Sequence, residues 1–170
     1  MPAPVGDGWD GFEPLYEEHH ARLYRVALLL TNGSTAAAED AVAETFVRVY
    51  PAWAEGRVEN FFPYTRRALV NHVMGVYRGN TVATRHAAAQ SGDLRGEQAL
   101  EDAVVDASSA FELLGQLAPR QRTAVVLRYY EDMSYEQIAE AMDVSVGTAK
   151  AQVSVGLQRL RELMKRDAHE

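Results

Sequence analysis
The sequence contains no cysteine, which removes disulfides, thiolate metal sites and cysteine nucleophiles from consideration. Two of its five histidines, His19 and His20, are adjacent. Adjacent side chains on a helix point to different faces, so this pair does not make a metal site. Neither a glycine-rich phosphate loop nor a nucleophile motif occurs. These gaps argue against an enzyme, a metal and an organic cofactor. Apolar runs are short as well. The longest, Val26 to Leu30, falls well below the roughly 20 residues that a membrane-crossing helix needs. The opening stretch MPAPVGDGWDGF has neither the basic start nor the apolar run of a secretory signal. A cytoplasmic protein without membrane insertion is therefore expected.

Positive charge is scarce too: 17 Lys and Arg stand against 24 Asp and Glu, for a net charge of −7. Taken as a sum, that disfavours a nucleic-acid partner, because neutralising phosphates requires cations. The distribution changes the picture. Residues 91–107 alone carry five acids against one arginine. Between Glu59 and Asp93 there is no acid but four arginines, and between Asp143 and Glu162 there is no acid but Lys150, Arg159 and Arg161. Such segregation allows an acidic protein to present phosphate-binding faces, although a chance gap in the acids has the same look.

What is present favours helix throughout, since Ala, Leu, Glu, Arg and Gln dominate and few segments alternate. A first helix is expected over 12–31, with Leu15, Leu23, Ala27 and Leu30 on one stripe. Asn32-Gly33 stops it, and Ser34 or Thr35 caps a second helix over 36–50, which Pro51 ends or kinks. Val42, Phe46 and Val49 form the apolar stripe of that helix, and Glu39, Asp40, Glu44 and Arg48 its polar side. A third helix is expected from Pro63 to about Val76. The polar and then acidic stretch after it reads as a linker, followed by helices over 111–117 and 121–130.

Residues 134–161 carry the functional signal. Ser134 with Gln137 fits a capping box, and Asp143-Val144-Ser145 fits a tight turn whose last residue caps the next helix. Burying Val146, Ala149, Val153, Leu157 and Leu160 leaves Thr148, Lys150, Ala151, Gln152 and Ser154 exposed near the start of that helix. Short polar groups and a cation in the first turns suit a recognition helix entering a major groove. An ordinary helical hairpin shares the capping and the apolar spacing.

The run LAPRQRTAVVLRYYEDMSYEQIA and the run VSVGTAK resemble the carboxyl-terminal domain of the extracytoplasmic-function (ECF) group of bacterial sigma factors, in the sigma-70 family. In the other half, AAAEDAVAETFVRVY resembles that family's polymerase-docking helix, and PYTRRALVN resembles its −10-reading helix. The resemblance implies an all-α fold of two small helical domains, a sigma domain 2 bundle over 1–85 and a sigma domain 4 helix-turn-helix over 108–170. A flexible acidic linker, 86–107, joins them. It implies a sigma factor that directs promoter-specific initiation, with core RNA polymerase and promoter DNA as partners and an anti-sigma factor as a candidate third. The alternative is a sigma-like interaction protein that binds polymerase or an anti-sigma factor with weakened promoter recognition.

Roles follow by position. Glu39, Asp40, Glu44 and Phe46 fall where the docking helix meets polymerase, although the acids also suit a solvated face. Asn71 aligns with a residue that holds a flipped −10 base, for which an amide offers donor and acceptor. A helix-surface Asn is the plainer alternative. Tyr64 aligns with an aromatic beside the melted strand, where a base stacks, and equally suits a core. Arg66, Arg67 and Arg78 are expected phosphate contacts, one of them conceivably structural. Ser145, Thr148, Lys150, Gln152, Ser154 and Arg159 are the −35 candidates. Relatives usually have Arg where this chain has Gln152 and Val155, so weak binding to free promoter DNA is expected, with a shallow salt dependence.

Overall fold
The computed structural model describes residues 9–84 and 104–169. Most of the expected linker therefore lies outside the described residues. Among those that are described, seven helices occur: α1 (Glu13–Leu30), α2 (Thr35–Ala54), α3 (Phe61–Thr84), α4 (Val104–Gly115), α5 (Pro119–Tyr129), α6 (Tyr135–Met142) and α7 (Val146–Asp167).

Local chemistry explains most of the boundaries. α1 ends where Asn32 and Gly33 take positive φ, 57° and 77°. This is the left-handed conformation that glycine adopts without penalty and asparagine tolerates. Ser34 then caps α2, its hydroxyl accepting from the Ala37 N–H at 3.2 Å. Ser134 and Gln137 make the reciprocal capping box of α6, with Gln137 Oε1 accepting from the Ser134 N–H at 2.9 Å. Asp143 closes α6 at φ 54°, and Ser145 starts α7.

Four boundaries differ clearly from the expectation. α2 does not stop at Pro51 but runs through it to Ala54. Proline removes one N–H near the helix end, while Ala52 (buried) and Trp53 (half-buried) keep packing against the core and hold the final turn in place. α3 starts two residues before Pro63, where first-turn N–H groups have no helical partner in any case, and it continues past Val76 to Thr84. α4 begins at Val104, ahead of the expected domain boundary, rather than at Phe111.

Helices α1, α2 and α3 pack on one another, as do α5, α6 and α7. The two groups also touch, through α3 against α6 and α5, and α1 against α5. One apolar cluster runs through both, from Phe12, Leu23, Val42 and Leu69 to Leu127, Ile138 and Val153. α1, which touches α2, α3 and α5, buries Val26 and Leu28 in addition to residues of its expected stripe.

The α5–α7 contact is close because Gly156 has no side chain. A Cβ there would lie 2.7 Å from Val125 Cγ2 and 3.4 Å from the Gln121 carbonyl oxygen. A β-branched side chain and a backbone atom yield little. Gly156→Ala is expected to lower stability by about 1–3 kcal/mol despite alanine's better helix propensity. A fall in the urea midpoint measures it.

Candidate nucleic-acid interface
The first turns of α7 are presented only in part as the sequence suggested. Lys150, Ala151 and Ser154 are exposed, Thr148 and Gln152 half-buried, and Ala149 and Val153 buried. Val146, Leu157 and Leu160 are only half-buried, whereas Gly156 and Leu163, absent from the expected stripe, are buried. Ser145 is occupied by capping: its Oγ accepts from the Thr148 N–H at 3.0 Å and donates to Thr148 Oγ1 at 2.9 Å. Arg159 lies 3.7 Å from Glu162 on the same helix.

Two residues join this face that sequence reasoning did not select. The Tyr135 ring has two cations near it, Arg128 with Cζ 4.4 Å from its centroid and Lys150 with Nζ 5.7 Å away. Arg128 also donates to the Met133 carbonyl at 2.8 Å, which fixes its direction. The three come from α5, α6 and α7, so no spacing within one helix connects them.

On α3, Asn71 and Arg78 are exposed and Tyr64 is 40% exposed, which sets aside a core role for Tyr64. Beside Tyr64 a cleft of about 430 Å³ separates α3 from α6, lined among others by Arg57, Asn60, Arg67, Gln137 and Glu140. Arg66 departs from its expected role as a free phosphate contact. It is 8% exposed, and its Nη1 donates to Glu131 Oε2 at 2.7 Å. Arg67 donates to Glu140 at 2.9 Å, with both side chains largely in solvent.

On α2, Glu39 and Asp40 are exposed. Glu44 bonds Arg48 one turn on, at 2.8 Å, and that hydrogen bond is the leading cause holding its carboxyl below the ordinary range. Phe46 is not available to a partner: it is 5% exposed and packs among Phe12, Tyr16, His20 and Phe61. The expected stripe of Val42, Phe46 and Val49 had already placed it inward, so its side chain builds the helix face rather than offering it.

Residues 15–81 match the family described as Sigma-70 region 2, and residues 109–160 match Sigma-70, region 4. The RNA polymerase sigma-E factor of Streptomyces avermitilis is 35% identical over 131 residues, covering 74% of this chain and 69% of that one. The ECF RNA polymerase sigma factor SigL of Mycobacterium tuberculosis is 33% identical over 159 residues, covering 86% and 85%. Among solved structures, the sigma factor RpoE of Bartonella quintana, determined with the anti-sigma factor NepR, superimposes with a TM-score of 0.66 at 23% identity. It covers 91% of this chain and 97% of that one.

Proposed function
The chain belongs to the extracytoplasmic-function group of the sigma-70 family and is an RNA polymerase sigma factor; from that premise we propose how its surfaces divide the work. The α2 face bearing Glu39 and Asp40 docks on core polymerase, Glu44 flanking it. The start of α7, with Lys150, Gln152 and Ser154 foremost, reads the −35 element. Tyr64, Asn71, Arg67 and Arg78 hold the melted −10 strand. Arg128, stacked on Tyr135 beside Lys150, adds a phosphate contact at −35. The bond-forming chemistry belongs to the polymerase, and this chain supplies only binding. It works in the cytoplasm, with an anti-sigma factor as a third partner.

The observation carrying this reading is the pairing of an acid-free, capped helix start at α7 with an acid-free α3. Phosphate-directed faces thus stand on both halves of a chain whose net charge is −7. Both sigma regions are matched in order, which does not favour an interaction protein without promoter recognition. Run-off transcription with core polymerase and a genome-derived promoter library tests the reading. A reproducible set of start sites sharing two spaced elements is expected. Polymerase binding without any such transcript would refute promoter recognition.

Asp40 separates docking from folding. Asp40→Lys is expected to leave the melting temperature nearly unchanged, because the side chain is exposed, and to weaken the polymerase complex about ten-fold or more through reversed charge. Fluorescence anisotropy of the labelled chain against core polymerase measures it. A large fall in melting temperature would contradict the assignment.

A further inference from the structure
Val155 and Ala151 put an apolar patch on the outward side of α7. Val155 is 48% exposed, and Ala151, one turn before it, is exposed as well. Ser154 and Gln158 flank the pair on the same side, whereas Ala149, Val153 and Gly156 are buried behind it. Two features fix where the Val155 methyls stand. Valine in a helix keeps one strongly preferred rotamer. Gly156, the next residue, lets α7 approach Val125 and the Gln121 carbonyl of α5 closely, which sets the position of the helix. The patch is therefore in place before any partner arrives.

Among base edges in the major groove only thymine offers an apolar group, its C5-methyl; the others offer donors or acceptors. A valine set against a donor or acceptor strips its water without replacing the hydrogen bond, which is unfavourable. Set against a methyl, it buries apolar surface on both sides. One turn of helix rises about 5.4 Å, and bases along a strand are about 3.4 Å apart. Residues one turn apart thus address bases one or two steps apart. We infer that Val155 and Ala151 read two thymine methyls so spaced on one strand of the −35 element. The inference rests on the assignment of the α7 start to that element. An arginine at Val155 would hold any duplex by its phosphates, whereas valine adds affinity only where a methyl meets it. The lost cation is exchanged for discrimination between sequences.

The test uses the full chain with core polymerase and a promoter recovered by run-off transcription. Labelled duplexes carry that promoter with its upstream element randomised, and those retained by the complex are sequenced. Thymines are expected to be enriched at two such positions on one strand. Deoxyuridine, which lacks only the C5-methyl, then replaces each enriched thymine in turn. Each replacement is expected to weaken binding about four-fold, the worth of one buried methyl. In Val155→Ala the penalty at one of the two positions is expected to fall below about two-fold while the other persists. The melting temperature is not lowered, because Val155 is exposed. Deoxyuridine without effect at every position overturns the proposal, and so does a penalty that Val155→Ala leaves intact at both. Lys150→Ala separates this failure from failure of the −35 assignment. If it weakens thymine and deoxyuridine duplexes alike, that assignment stands and a missing methyl effect refutes the Val155 reading alone. If it weakens neither and no upstream element is enriched, the −35 assignment falls and the proposal with it.

Discussion

Arg122→Ala is expected to destabilise the protein by about 3–5 kcal/mol, the mark of several buried acceptors losing one shared donor. Arg122 is 5% exposed and donates to five oxygens. Its Nε reaches the Leu114 carbonyl at 2.9 Å, Nη2 the Leu117 and Gly115 carbonyls at 3.1 and 3.4 Å, and Nη1 the Leu30 carbonyl and Tyr77 hydroxyl at 3.2 and 2.9 Å. The Leu30 and Leu114 carbonyls keep second donors, the Tyr77 hydroxyl at 2.9 Å and the Leu117 N–H at 3.1 Å, but the Gly115 and Leu117 carbonyls lose this one. Arg122→Lys is expected to recover little, since one ammonium cannot span both ends of this arrangement. Chemical denaturation of the three proteins measures the losses. A loss under about 1 kcal/mol for the alanine variant would mean that water replaces the guanidinium and that the site is less dry than it looks.

The second large effect lies at a residue ahead of the first helix. Phe12 is 1% exposed, with the rings of Trp9, Phe46, Tyr50, Trp53 and Phe61 between 5.2 and 6.0 Å from its own. Phe12→Ala removes the centre of that cluster and is expected to cost about 3–5 kcal/mol. Edge-to-face geometry with Phe46, Tyr50 and Phe61 adds to the area term, so Phe12→Leu is expected to recover only part of the loss. Phe12 precedes the segment 15–81 that matches the family region. A chain cut to begin at residue 15 is expected to share the defect of Phe12→Ala in thermal unfolding. If both melt like the full chain, the cluster closes without its middle ring.

What was legible in the sequence was what acts over a few residues. The capping box at Ser134 and Gln137, the left-handed Asp143 and the stop at Asn32-Gly33 are local hydrogen-bond and backbone effects. Pro51 misled because proline's local penalty was weighed without the packing of Ala52 and Trp53, and Trp53 lies against Gly11 and Phe12, far earlier in the chain. Arg66 misled for the same reason at longer range. An arginine in an acid-free stretch looks free until Glu131, 65 residues on, folds onto it. The Arg128–Tyr135–Lys150 arrangement spans three helices and leaves no periodic trace.

Four of the five acceptors of Arg122 are main-chain carbonyls. No side-chain replacement in α1 or in the α4–α5 turn deletes such an acceptor, because every amino acid brings the same one. Side-chain drift on those elements therefore leaves four acceptors in place, and only Arg122 itself and the Tyr77 hydroxyl can be removed by a substitution.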